Sequence, residues 1–237
     1  MGGMRDWVAW HELYDDPSSV LSARLRLVQA QLADALDRAP AGPVRLLSLC
    51  AGQGRDVTGV LPTHPRRDDV SAVLIEANAE NAETARRNAA AAGLPQVEVR
   101  EADASRPSGY ADVLPADVLL LCGIFGNVSD ADIQRTIAAA PALSAPGATV
   151  IWTRHRRPPD LTPTVRTWFR EAGFAEVSFS SPEDAPRTAV GAGRLHRAAA
   201  SGGDGGGDGG GTLGGPDGPE SAAAWPGEPL FIFRSRT

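Results

Sequence analysis

Val44-Arg45-Leu46-Leu47-Ser48-Leu49-Cys50-Ala51-Gly52-Gln53-Gly54-Arg55-Asp56 passes from an apolar run into a glycine turn. Apart from Arg45 and Ser48 the first seven residues are apolar, the pattern of a strand buried on both faces of a parallel sheet. Gly52 and Gly54 follow at once, and a helix is expected after them. A Gly-x-Gly turn between strand and helix lets a ligand approach the backbone closely and presents helix N–H groups to it. A tight turn without a ligand reads the same way, so the neighbouring segments have to decide.

Upstream, Leu21, Leu25, Val28, Leu32 and Leu36 recur at helical steps after the turn and cap residues Pro17-Ser18-Ser19, which predicts an amphipathic helix over 19–38. Downstream the spacing predicts a strand at 70–76, a helix at 79–92 closed by Gly93, and strands at 96–102 and 117–122. A helix at 130–140, a strand at 147–153, a helix from Thr162-Pro163 to Gly173 and a strand at 175–180 follow. Alternation at this spacing means an α/β fold, a doubly wound and mostly parallel sheet with helices on both faces. Residues 201–219 hold 11 of the chain's 26 glycines and almost no apolar side chains, so a disordered insertion is expected over about 199–220. Leu230 to Phe233 after it is strand-like and has only the preceding core to return to. The expected organisation is a helical lid or cap segment over 1–43 and one domain over 44–237.

Composition narrows the function classes. The chain has 237 residues, a net charge of −6, 42% hydrophobic residues and no apolar run of membrane-spanning length. A membrane protein and a general nucleic-acid binder are disfavoured, since the basic candidates are the short runs Arg66-Arg67 and Arg154–Arg157. Two cysteines at positions 50 and 122 make no disulfide framework and no metal spacing. The first sixteen residues carry acids and no long apolar core, so a cytoplasmic location is expected.

Ligands of open α/β sheets bind beyond the carboxyl ends of the strands. Glu76 ends the second strand 22 residues after Gly54, near the offset at which an acid meets ribose hydroxyls, and Asp103 ends the third. Either acid alone is equally a helix cap or a solvated carboxylate; together with the glycine turn they point to an adenosine ligand. Val57 stands where a dinucleotide fingerprint needs its third glycine, which disfavours NAD, and a chain without lysine has no P-loop.

These residues resemble the class I S-adenosylmethionine-dependent methyltransferases, which have a Rossmann-like fold. Leu46 to Gly54 follows the family's first motif, Glu76 its second-strand acid, and Asp103-Ala104 the acid and small residue after strand three. Ala116-Asp117-Val118 into Leu121-Cys122-Gly123 matches strand four, Leu143 to Gly147 the turn before strand five, and Gly173-Phe174 the start of strand six. Leu230 to Phe233 matches the last, antiparallel strand of its seven. The resemblance implies S-adenosyl-L-methionine as cofactor, held by Cys50, Ala51, Gly52, Gly54, Glu76, Ala77, Asp103, Ala104, Cys122 and Gly123, with Glu76 toward ribose and Asp103 toward adenine. Ser48 replaces the first motif's acid and Cys50 its first glycine, so contact with the methionine amino group has to come from elsewhere.

On the acceptor side, Asn127 after strand four and His155 after strand five are candidates to bind or deprotonate an acceptor. The alternatives are turn chemistry for Asn127 and a solvated basic loop for His155. Trp7, Trp10, His11 and Tyr14 share one helical face and form either an aromatic lid with His11 and Tyr14 at the acceptor, or ordinary packing. No metal is expected. An Asn/Asp-Pro-Pro-aromatic signature is absent from the sequence, which lowers nucleobase methylation. The expected function is methyl transfer to a small-molecule acceptor; the alternative is a non-catalytic module that binds the cofactor or another nucleotide.

Overall fold

The computed structural model describes residues 13–183, 185–196 and 229–234. Its strands are β1 Val44–Leu49, β2 Val70–Glu76, β3 Val97–Glu101, β4 Ala116–Leu121, β5 Ser144–His155, β6 Phe174–Ser180 and β7 Thr188–Leu195. The helices are α1 Val20–Arg38, the single turn α2 Arg55–Thr58, α3 Ala79–Ala91, α4 Asp130–Leu143 and α5 Thr162–Glu171. The strands form one seven-stranded sheet in the order β3-β2-β1-β4-β5-β7-β6. β7 pairs antiparallel with β5 and β6, and the β1 to β5 pairings are parallel.

Why the central strands read as unbroken apolar runs follows from their two-sided burial. Leu47, Leu49, Val73, Ile75, Leu119, Leu121, Val150 and Trp152 face one core, with Ile133 and Ile137 of α4 and Val165 and Phe169 of α5. Leu46, Ala72, Leu74, Val118, Leu120 and Ile151 alternate with them and face the other, with Val28, Leu32 and Leu36 of α1 and Val57 of α2. α1 is therefore a layer of the sandwich. Its N-cap is Ser19, whose hydroxyl accepts from Ser22 N–H at 3.0 Å. Ser129 and Asp132 close a reciprocal capping box on α4.

Two expectations change. The seventh strand is Thr188–Leu195, not Leu230–Phe233, which forms no strand. The glycines that mask β7 in the sequence are required by its neighbours: a Cβ on Gly191 would fall 2.3 Å from the Trp152 ring, and one on Gly193 3.2 Å from Phe174 Cβ. Two large side chains lean across a strand whose own residues must stay small. Leu143 to Gly147 is likewise no turn, because α4 runs to Leu143 and β5 begins at Ser144, with a register irregularity against β4 between Ala116 and Val118.

Candidate active site

Strand order reverses between β1 and β4, so the segments leaving their carboxyl ends diverge and open a crevice. A cleft of about 370 Å³ lies there. Its floor is Cys50, Ala51 and Gly52 after β1, Glu76 and Ala77 at the end of β2, Asp103 and Ala104 after β3, and Cys122 and Gly123 after β4. Of the ten residues expected to hold a cofactor, Gly54 is not on the wall. It lies behind the turn with φ +69°, where an added Cβ would meet Leu74 Cδ2 at 2.8 Å, and it lets the turn close onto β2.

Parallel register sets the floor. Leu49 is opposite Ile75 and Glu76 opposite Glu101, so the first residues beyond three strands reach the same rim. Glu76 then ties the rim together: one carboxylate oxygen accepts from Gly52 N–H at 2.8 Å and the other from Asn78 N–H at 2.9 Å. Burial pushes its carboxyl above the usual range, opposed by these backbone hydrogen bonds. A carboxylate has about four acceptor positions, so capacity remains for a ligand's hydroxyls. Asn81 lines the cleft beside it, 1% exposed, and its Nδ2 is a buried donor with no partner among the described residues. Such a group is costly unless a ligand acceptor completes it. The set fits a vicinal diol: acceptor capacity on Glu76 and donor capacity on Asn81.

Cys50 stands at a position of left-handed backbone, φ 57°, where glycine is the unstrained residue. Burial raises the thiol pKa of Cys50 well above its ordinary value, with Glu76 and Asp103 adding to it, and burial also raises that of Cys122. Both stay protonated and act as small apolar walls.

Side chains from outside the sheet edge complete the cleft. Tyr14, Arg24, Asp56, Asn78, Phe231 and Phe233 line it too, and of these only Tyr14 was expected from the sequence. Arg24 donates through Nη2 to the Tyr14 hydroxyl. The guanidiniums of Arg24 and Arg55 lie 6.0 and 5.7 Å from the Tyr14 ring centroid. Arg55 is fixed by Asp15 at 2.6 Å and by Gln53 Oε1 at 3.0 Å. Burial raises the Tyr14 phenol, so it is a donor near neutral pH and not a base, and burial also raises the Asp56 carboxyl against the pull of its own backbone N–H and Arg24. One signal for Asp56 was readable, an acid two residues past the glycine turn; Arg24 gave none, being one arginine on a helix with two others.

His155 and Asn127 are not on the cleft wall. Asn127 Nδ2 donates to Gly123 O at 2.6 Å and its own carbonyl accepts from Arg234 N–H at 2.8 Å, so it fixes the loop after β4. Gly123, at φ +79° with open space at its Cβ position, faces the cleft from that loop. His155 packs against Gly126, 3.4 Å from where a Cβ would be. Burial and the charges of Arg154 and Arg157 push its pKa down, leaving a neutral imidazole. His11, Trp7 and Trp10 lie outside the described residues, as does the glycine-rich run. Of the basic pairs, Arg66 caps four backbone carbonyls, those of Leu36, Ala39, Pro40 and Gly42. Among the described residues no helix is long and apolar enough to cross a membrane, and no group of three or more His, Cys, Asp or Glu is placed to hold a metal.

No protein-family model and no curated protein matches the sequence. Solved structures do match the fold. One is an O-methyltransferase family protein from Burkholderia thailandensis, TM-score 0.62 and 19% identity over 81% of this chain and 61% of that one. This chain thus spans about three fifths of that protein's length. A second is the 1,6-didemethyltoxoflavin-N1-methyltransferase of the same organism, solved with 1,6-didemethyltoxoflavin and S-adenosylhomocysteine bound, TM-score 0.59 and 18% identity over 80% of this chain and 87% of that one. A third is the CurJ carbon methyltransferase, TM-score 0.56 and 15% identity over 73% and 54%. The chain has the fold of the class I S-adenosylmethionine-dependent methyltransferases.

Proposed function

We propose that this protein is an S-adenosyl-L-methionine-dependent methyltransferase acting on a small molecule. The observation that carries the reading is the pairing of Glu76, with acceptor positions left, and the orphan donor of Asn81 at the switch point of the sheet. In this reading Glu76 and Asn81 hold the ribose hydroxyls, and Asp103-Ala104 meets the adenine. The charged end of the cleft takes the aminoacyl end: Arg24 faces the carboxylate and Asp56 the ammonium, in place of the acid that Ser48 lacks. Ser48 itself is 1% exposed and absent from the wall. The bound cofactor supplies an electrophilic methyl group on a sulfonium. Transfer is then a matter of alignment, which the protein provides by fixing both ends of the ligand and excluding water under Tyr14.

Support for a small acceptor comes from the neighbour solved with 1,6-didemethyltoxoflavin bound. The net charge of −6 and the use of Arg66 as a cap on backbone carbonyls count against a general phosphate-binding surface. Neighbours that methylate oxygen, nitrogen and carbon share the fold, so the acceptor atom is left open. Two free thiols fit a reducing compartment such as the cytoplasm. One observation favours the second reading, a cofactor-binding module without turnover: neither His155 nor Asn127 lines the cleft. Transfer of labelled methyl to phenols, amines or activated carbons separates the two.

Calorimetric titration with S-adenosylmethionine, S-adenosylhomocysteine and NAD tests the ligand class. Both sulfur ligands are expected to bind and NAD is not. Glu76→Ala removes acceptors for two hydroxyls and should weaken both by about 100-fold, roughly 3 kcal/mol, with the circular dichroism spectrum unchanged. Binding of NAD with silence toward the sulfur ligands overturns the reading.

A further inference from the structure

Among the described residues the last strand of the sheet ends at Leu195, and Pro229–Arg234 returns to the active rim without pairing as a strand. It is fastened at both ends. Leu230 N–H donates to Ser105 O at 2.9 Å, in the loop after β3, and Arg234 N–H donates to Asn127 O at 2.8 Å, in the loop after β4. Along its length Arg135 donates to Pro229 O at 3.2 Å and Thr136 to Leu230 O at 3.2 Å, both from α4. The segment therefore bridges the ends of β3 and β4 across one side of the cleft.

Its side chains divide accordingly. Phe231 and Phe233 both line the cleft, their rings edge to face at 5.6 Å and 84°, while Ile232 between them is 64% exposed. Phe231 is 2% exposed and belongs to the core cluster that contains Ala104 and Ile124. Asp103, Ala104 and Gly123, which has open space at its Cβ position, line the same cleft. Two phenyl rings next to a carboxylate and backbone polar groups form a slot for a flat ring with a polar edge.

We propose that Pro229–Arg234 is a clamp on the nucleobase of the ligand: Phe231 and Phe233 stack against a purine, so this wall of the site comes from the C-terminal segment and not from the sheet. The inference rests on the nucleoside reading above and assigns the part of the site that reading left to Asp103-Ala104. Ligand and clamp then stabilise each other, because the purine adds contacts that the segment's few hydrogen bonds lack.

The test uses the full chain and two probes, adenosine and S-adenosylhomocysteine. Phe233→Ala, an exposed position that spares the core, should weaken both by the same factor, about tenfold, as loss of a base-stacking aromatic does. Phe233→Trp should restore both, and Phe231→Ala should cost more. Hydrogen exchange at the Leu230 and Arg234 amides should slow when adenosine is added to the unmodified protein. Affinities within twofold in both alanine variants, or exchange unchanged by a saturating probe, overturn the clamp. A loss for S-adenosylhomocysteine without a loss for adenosine also overturns it, because the rings then face the sulfur or the acceptor. If the unmodified protein binds neither probe, the nucleoside reading fails and the clamp with it.

Discussion

The carboxyl ends of β1 to β4 and the side chains that cover them, from Tyr14, Arg24 and Pro229–Arg234, meet in one cleft through different kinds of interaction. The floor is held by continuous backbone pairing: parallel register, Ala51 N–H to Ile75 O and Ala102 N–H to Glu76 O, with the Glu76 carboxylate bridging two segments. The cover is held by a few separate contacts whose partners lie far away in sequence, such as Arg55 with Asp15, Thr136 with Leu230 O and Leu230 N–H with Ser105 O. A floor built on a ladder tolerates change at most side chains and fails when its backbone is disturbed. A cover built on separate contacts loses local order one contact at a time, and the two respond differently to substitution.

Gly54→Ala disturbs the floor most. The position needs φ +69°, and the new Cβ would lie 2.8 Å from a Leu74 side chain that is fully buried. Left-handed strain and overpacking together should cost about 3 kcal/mol, read as a lowered urea midpoint with an unchanged slope. Arg24→Ala touches only the cover. It should leave the urea midpoint near its original value and weaken S-adenosylhomocysteine by about 30-fold, roughly 2 kcal/mol. 5′-Methylthioadenosine, which lacks the aminoacyl end, should bind as before. Equal losses for the two ligands would move Arg24 away from that end of the cleft.

The same division decides what the sequence made legible. Strand ends are local facts: an apolar run, its last residue and the glycine after it are contiguous, so Cys50–Gly52, Glu76, Asp103 and Gly123 could be placed at one rim before any coordinates. The cover depends on pairing between distant segments. Leu230 to Phe233 reads as strand-like and as returning to the core, but such a run cannot announce that its partners are a loop carbonyl at Ser105 and a helix at Arg135 and Thr136. β7 is hidden in the sequence for a related reason: Gly191 and Gly193 look like a loop until Trp152 and Phe174 are seen to occupy the space above them.

Asp56 joins the two regions, being on the first helical turn after the floor and facing Arg24 of the cover. Burial raises its carboxyl pKa in the folded protein. For an acid with a raised folded pKa, stability is greatest below the unfolded value and is lost as pH rises through the folded one. Asp56→Asn should therefore stabilise the protein at neutral pH, and the gain should fade as pH drops below the ordinary aspartate range. Affinity for S-adenosylhomocysteine should fall in the same variant, as expected where a site is kept for binding at the expense of folding. A gain that persists at pH 3 would assign the effect to packing and not to charge.

The smallest effect probes the floor at its one strained non-glycine residue. Alanine normally stabilises a chain relative to glycine by restricting the unfolded state, by about 0.4–1 kcal/mol. At Cys50 the native φ of 57° reverses that order, because a Cβ in the left-handed region costs about 1–2 kcal/mol. Cys50→Gly should therefore be more stable than Cys50→Ala by up to about 1 kcal/mol, although both remove the same thiol. Paired urea titrations of the two variants read this difference without reference to any ligand. If Cys50→Ala is the more stable, the turn after β1 relaxes out of the left-handed region, and the floor is less firmly held by its backbone than the register of β1 and β2 implies.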